Sequence, residues 1–290
     1  MRSDRMRVAI IISPDIQDKY FASRIIEEFN VVGIFIEPQY RRRSVLEKLA
    51  KLFRVLLRER FNPLALSRRL SDAAYYRRYL DRVSTLFKES FYEKAKIIDH
   101  YAGCPVYHTR FRDVSSPENV SLLKDLAPDV IAVCGCSILK RDLLSVPPRG
   151  TLNLHSGLAP YYRGCSCYFW PLYNNEPEYL GVTIHYVDPG IDKGDIIHQG
   201  RPELEADDDE VTIFIKIMKL GTSLMIKSLH EIELGKVRSY KQTEKGRLYL
   251  DSDTSVKHFR ELHERLKGGL IRDYLKRIES GSVDLPKIIE

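Results

Sequence analysis

Residues 150–164 read GTLNLHSGLAPYYRG, and residues 187–197 read VDPGIDKGDII. The first stretch is a buried strand, Gly150 to His155, that runs out into a loop rich in glycine, proline and tyrosine. Asn153 and His155 lie two positions apart, so their side chains leave one face of that strand. They also stand at its carboxyl end, where open α/β sheets place their ligands. The second stretch follows another alternating run, Gly181 to Val187, and holds Asp192 between Gly190 and Gly194. A carboxylate fixed in such a loop can orient a histidine and stabilise its imidazolium form. Each residue has a plainer reading. A strand-end histidine is commonly a satisfied structural group, and an aspartate in a turn commonly accepts its own backbone amides, as Asp188 before Pro189 would.

Outward from these stretches the chain alternates strand and helix. Val8 to Ser13 reads as a buried strand, Asp18 to Phe29 as a helix and Val31 to Ile36 as a second strand paired in parallel with the first. A helix over Pro117 to Leu126, a strand over Asp129 to Cys134 and a short helix over Ser137 to Leu144 resume the alternation. Val211 to Leu234 reads as a long helix. The remainder reads as a hairpin, Val237 to Tyr240 with Arg247 to Leu250, and a helix from Ser255 to Ile278. The expected class is α/β, with an open, mostly parallel, Rossmann-like sheet. Residues 1–235 would form the main domain and 236–290 a short hairpin-plus-helix extension.

The pattern is interrupted once, over residues 41–96. Leu46, Leu49, Phe53, Leu56 and Leu57 make an apolar helical stripe, Pro63 interrupts it, and a second helical run carries Tyr75, Tyr76 and Tyr79. This insert holds 16 Lys+Arg against 6 Asp+Glu, so the remaining residues hold 30 against 34, from totals of 46 and 40. One segment therefore makes the 290-residue chain basic, at a net charge of +6. The apolar run Val8 to Ile12 is too short for a signal-peptide core or a bilayer span, and five cysteines without a framework spacing fit a reducing compartment. A soluble, cytoplasmic protein without a transmembrane segment is expected. Cys134 and Cys136, and Cys165 and Cys167, form two Cys-x-Cys pairs. Zinc sites usually place two to four residues between ligands, so no metal is expected.

The chain resembles the formyltransferase family, which includes glycinamide ribonucleotide formyltransferase, methionyl-tRNA formyltransferase and the sugar N-formyltransferases. The resemblance runs through Asp129-Val130-Ile131, Cys134 to Leu139, Asn153-Leu154-His155, Pro160, Arg163-Gly164, Gly181-Val182-Thr183 and Asp188 to Asp195. It implies the fold of that family and 10-formyltetrahydrofolate as formyl donor. It also implies Asn153, His155 and Asp192 as the catalytic set, and a folate groove formed by Cys134, Gly135, Cys136, Ser137, Ile138 and Leu139 with Gly190, Ile191 and Gly194. Those residue types suit the chemistry. As an amine attacks the formyl carbon its oxygen becomes negative, and Asn153 and a protonated His155 are suitable donors to it, while Asp192 supports the histidine and the water that relays the amine proton.

The catalytic residues do not name the amine. Arg41-Arg42-Arg43 and the other cations of the insert would suit the phosphates of tRNA, an alternative acceptor. Against it, the 55 residues after Gly235 are too few for the additional β-barrel that methionyl-tRNA enzymes carry. The expected acceptor is a small, phosphate-bearing amine, a nucleotide-linked amino sugar. Tyr75, Tyr76 and Tyr79 would serve a stacking site, a core or a homodimer interface. The remaining alternative is a binding module for folate or nucleic acid without catalysis.

Overall fold

In the computed structural model, residues 5–39 and 63–289 are described. Seven strands form one sheet: β1 Arg7–Ile12, β2 Asn30–Ile36, β3 Val106–His108, β4 Val130–Cys134, β5 Thr151–His155, β7 Val182–Tyr186 and β8 Ile196–Gly200. A separate two-stranded sheet joins β6, Tyr162–Gly164, to β9, Arg247–Tyr249. The large sheet runs β3-β2-β1-β4-β5-β7-β8, parallel as far as β5 and antiparallel from β5 to β7 and β8.

The side-chain period of two along β1 builds both faces. Val8, Ile10 and Ile12 enter one apolar cluster, and Ala9 and Ile11 enter the other. The first cluster lies under α1 Ile16–Ile26, α2 Pro63–Asp99 and α6 Glu210–Glu233; the second lies under α3 Pro117–Leu126 and α4 Arg141–Leu144. A short helix, α5, spans Trp170–Tyr173. Ser116 caps α3 by accepting from the Asn119 amide, and Asp209 caps α6 by accepting from Val211 and Thr212.

The described part of the insert is α2. Arg41, Arg42, Arg43, Leu46, Leu49, Phe53, Leu56 and Leu57 lie outside the described residues. Tyr75, Tyr76 and Tyr79 of α2 contact residues of the C-terminal segment: Tyr79 and Tyr76 lie 5.0 and 5.9 Å from Phe259, and the Tyr75 hydroxyl meets His263 Nδ1.

The residues after α6 differ from the expectation in two ways. No hairpin forms, because each proposed strand finds a different edge: Tyr240 exchanges backbone hydrogen bonds with Ile196, while β9 pairs in parallel with β6. The expected single helix is two, α7 Val256–Lys267 and α8 Leu270–Glu279, separated at Gly268-Gly269, where Gly269 has φ +98°.

Candidate active site

Strands β5 and β7 bring four polar side chains together. Their register sets Asn153 opposite His185 and His155 opposite Thr183. Asn153 Nδ2 lies 3.2 Å from His185 Nε2, and His185 Nδ1 lies 2.8 Å from the Tyr186 carbonyl. A carbonyl only accepts, so Nδ1 carries the hydrogen, and in the neutral ring Nε2 accepts from Asn153. That contact uses one Nδ2 hydrogen of Asn153, fixes the amide's orientation and leaves the second for a substrate oxygen.

His155, 5% exposed, donates from Nε2 to the Tyr162 carbonyl at 2.9 Å, and its Nδ1 stands 3.5 Å from Asp192 Oδ2. Asp192 Oδ1 lies 3.4 Å from His185 Nε2, and Oδ2 accepts from the Gly164 amide at 2.8 Å. Burial acts to raise the Asp192 carboxyl, but the charge of His155 and the Gly164 amide outweigh it and hold the group well below the usual carboxylate range. Asp192 is therefore an anion between two imidazoles.

Strand β6 holds this set by its main chain. Alternate residues of a strand offer their peptide groups to opposite edges. On one edge Tyr161 O accepts from Arg247 N, and just past the strand Cys165 N donates to Tyr249 O, so this edge is paired with β9. On the other edge Tyr162 O receives His155 and Gly164 N reaches Asp192. The loop after His155 is fixed by Thr183, whose hydroxyl donates to Gly157 O at 2.8 Å and accepts from Ala159 N at 3.0 Å.

The structure thus brings Asn153, His155 and Asp192 together. It adds His185, which was read only as part of a strand. His185 lies two positions after Thr183 on the strand that leads to Asp192, so it shares a face with Thr183, but the alternation does not show what that face meets.

Residues 85–229 match the family model described as formyl transferase, half of the 290-residue chain. The chain belongs to the formyl transferase family. A methionyl-tRNA formyltransferase from Kosmotoga olearia is 26% identical over 80% of this chain and 61% of its own length. One from Caldanaerobacter subterraneus is 34% identical over 47% of this chain and 44% of its own. The chain therefore spans less than two thirds of these curated relatives. Among solved structures, a sugar N-formyltransferase from a Shewanella species superposes with a TM-score of 0.53 at 16% identity, covering 89% of this chain and 86% of that one. That likeness supports the fold.

The residues expected to line a folate groove differ among themselves in their surroundings. Cys134 ends β4 with its thiol donating to Asp18 Oδ1, and Leu139 is buried. Gly135 O accepts from the Gln39 amide, and Ser137 N donates to Glu37 Oε2 at 2.7 Å. Buried Glu37 also accepts from Val114 N, so the Ser137 amide is tied into the fold through Glu37. Cys136 donates to Ser137 O, while Ile138 is 71% exposed and presents an apolar side chain.

The second expected wall follows a strand of the same sheet as the first. Strand β7 is antiparallel to β5, with Tyr186 beside Leu152 and Val187 N bonded to Thr151 O, so the following loop begins at the amino end of β5 and folds back to carry Asp192 to His155. Within it, Gly190 N donates to Asp188 O, Ile191 O accepts from Arg163, and Gly194 O accepts from Gln242. The two walls still share a face, since Cys136 and Val187 pack on the same apolar cluster as Leu139.

Burial holds the thiols of Cys134, Cys136 and Cys167 above their ordinary range. Among the described residues, no group of three or more His, Cys, Asp or Glu is arranged for a metal ion. No described helix is long and apolar enough to cross a membrane.

Proposed function

We propose that this protein transfers a formyl group from 10-formyltetrahydrofolate to a primary amine, with Asn153, His155 and Asp192 as the catalytic set. The observation that carries the reading is the pairing of buried His155 with Asp192 beside Asn153, held by the β6 main chain. When bound, the folate supplies the formyl carbon: the amine nitrogen forms a C–N bond, the bond to folate N10 breaks, and the amine proton passes to the departing nitrogen. Asn153 Nδ2 donates to the formyl oxygen as it becomes negative, and His155 faces the same strand end, with its charge balanced by Asp192. His185 keeps the Asn153 amide turned for this task. The donor would lie along Cys134 to Leu139 and Gly190 to Gly194, with exposed Ile138 against its flat ring.

The acceptor we propose is a nucleotide-linked amino sugar. Residues 240–249 support this, because they are committed to bracing the site through Tyr240, Gln242 and β9 and so are not part of a separate tRNA-binding barrel. The second reading, formylation of an aminoacyl-tRNA, is favoured by the 26% identity with the Kosmotoga olearia enzyme over 80% of this chain.

The test is a panel assay of tetrahydrofolate release with nucleotide-linked amino sugars, glycinamide ribonucleotide and methionyl-tRNA. Turnover with the amino sugars alone supports the proposal. Turnover with methionyl-tRNA alone replaces the acceptor but keeps the reaction. Release with none of these amines removes it.

A further inference from the structure

The loop from Asp188 to Asp195 carries Asp192 in a conformation that the residue does not favour. Its φ is +49°, in the left-handed region that non-glycine residues rarely adopt. Such a position persists only where its surroundings over-determine it. Here the surroundings are two side chains that take three carbonyls of the loop. Gln242 Nε2 donates to Asp192 O at 3.0 Å and to Gly194 O at 2.8 Å, and Arg163 Nη1 approaches Ile191 O at 3.4 Å.

Gln242 comes from the segment after α6, and that segment is tied down on both sides of it. Tyr240 is fixed by two backbone hydrogen bonds to Ile196, each 2.8 Å, and Arg247 N donates to Tyr161 O at 2.9 Å. Between these anchors, Gly246 O accepts from Arg163 Nη2 at 3.0 Å, so the same arginine joins the segment to the loop. Residues 240–247 thus form a strap across the Asp192 loop. The half-buried amide of Gln242 is the strap's direct hold on the residue whose carboxylate faces His155.

We propose that Gln242 is a positioning residue for formyl transfer: its amide keeps the Asp192 loop in the left-handed turn that sets the carboxylate against His155 and His185. The proposal rests on the reading of Asp192 as catalytic. Gln242 faces peptide carbonyls of the loop and no catalytic side chain, so it acts through Asp192. Two donors from one side-chain amide suit two carbonyls two residues apart, and a carboxylate of the same shape in that place would meet both carbonyls with lone pairs.

The test compares wild type with Gln242→Glu and Gln242→Met, which keep the side chain's length and remove the donors. Two readouts are taken on the full chain, amide hydrogen exchange over residues 188–195 and single-turnover formyl transfer at saturating folate and amine. Exchange in the loop should rise about 10-fold while β4 and β5 stay as protected as in wild type. The transfer rate should fall about 10-fold or more with KM for folate changed by less than about 3-fold. A kcat loss at constant KM, with exchange confined to the loop, is not what a general loss of stability gives. Unchanged loop exchange in both variants overturns the proposal, as does loosening of the whole sheet together with the loop. If the loop loosens in the variants but wild type transfers formyl to no amine, the strap stands and the functional reading fails. If wild type is active and both variants match its rate, the reading stands and Gln242 has no positioning role.

Discussion

Asp18 is a buried carboxylate and Asp192 a partly buried one, and their surroundings send them in opposite directions. Asp192 has two imidazoles and an amide around it and is held low, as an anion. Asp18 has the Ser13 hydroxyl at 2.6 Å and the Cys134 thiol at 3.4 Å, and burial pushes it up to about 7 despite these donors. Replacing His155 or Asp192 with alanine is therefore expected to slow formyl transfer by about 100-fold or more without unfolding the protein, since each change removes charge stabilisation at the reacting centre. Steady-state kinetics with circular dichroism on each variant checks this, and near-normal kcat in either would remove that residue from the catalytic set. Asp18 gives a stability prediction. Its folded pKa lies above its unfolded value of 3.8, so the folded state binds the extra proton between about pH 4 and 7 and stability falls as pH rises through that window. Asp18→Asn, which keeps the neutral shape, should be more stable than wild type at pH 8 and close to it at pH 4. With each pKa unit near 1.4 kcal/mol, the gain at pH 8 has an upper bound of about 4 kcal/mol. Denaturant midpoints at the two pH values measure it, and equal differences at both would show that Asp18 does not titrate in this window. At this scale Asn153, His155 and Asp192 were legible because two of them share a strand face and the third sits between glycines. His185 was not, since a histidine in an alternating strand looks the same whether it faces a core or a carboxylate.

The strands, helices and loops show where local pattern stops being sufficient. The buried runs of β1 and β4 and the long helix α6 were readable because their apolar periodicity is set by their own burial. The segment Val237 to Leu250 was not, because two short strand-like runs do not reveal which edge they will pair with. Here Ile196 and β6 both offered a partner, and neither run chose the other. The same limit applied to Gly194, which read as a close approach to a ligand. A Cβ there would stand 1.7 Å from the Tyr186 carbonyl, so the missing side chain makes room for β7's own backbone. Gly194→Val should therefore lower stability by about 1–3 kcal/mol, as overpacking does, and displace the Asp192 loop. Thermal melts paired with calorimetric titration of 5-formyltetrahydrofolate check this. Full stability with weakened folate binding would return Gly194 to the ligand surface.

Across the molecule, the α/β class and the mostly parallel sheet follow from the alternation of buried strands and amphipathic helices, which is why that level was the most readable. The antiparallel turn at β7 was not readable, and it is what lets a loop from the far end of β5 reach His155. The uneven charge of the chain bears on the acceptor. The +10 carried by residues 41–96 predicts a steep fall of affinity with salt if a polyanion is bound there, and a shallow one for a nucleotide-linked sugar with few phosphates. KM for the acceptor measured from low to high salt should vary weakly, and a steep dependence would support the tRNA reading.

If the His155–Asp192 pair drives formyl transfer from folate to an amine, neutralising Asp192 must slow the release of tetrahydrofolate. Rapid-quench single-turnover measurement of tetrahydrofolate release, with wild type and Asp192→Asn at saturating 10-formyltetrahydrofolate and amine, tests it most directly. Wild type should release tetrahydrofolate in step with formylation of the amine, and Asp192→Asn should do so about 100-fold or more slowly at similar folate affinity. Equal rates in the two proteins, or no release by wild type with any amine while folate is bound, would contradict it.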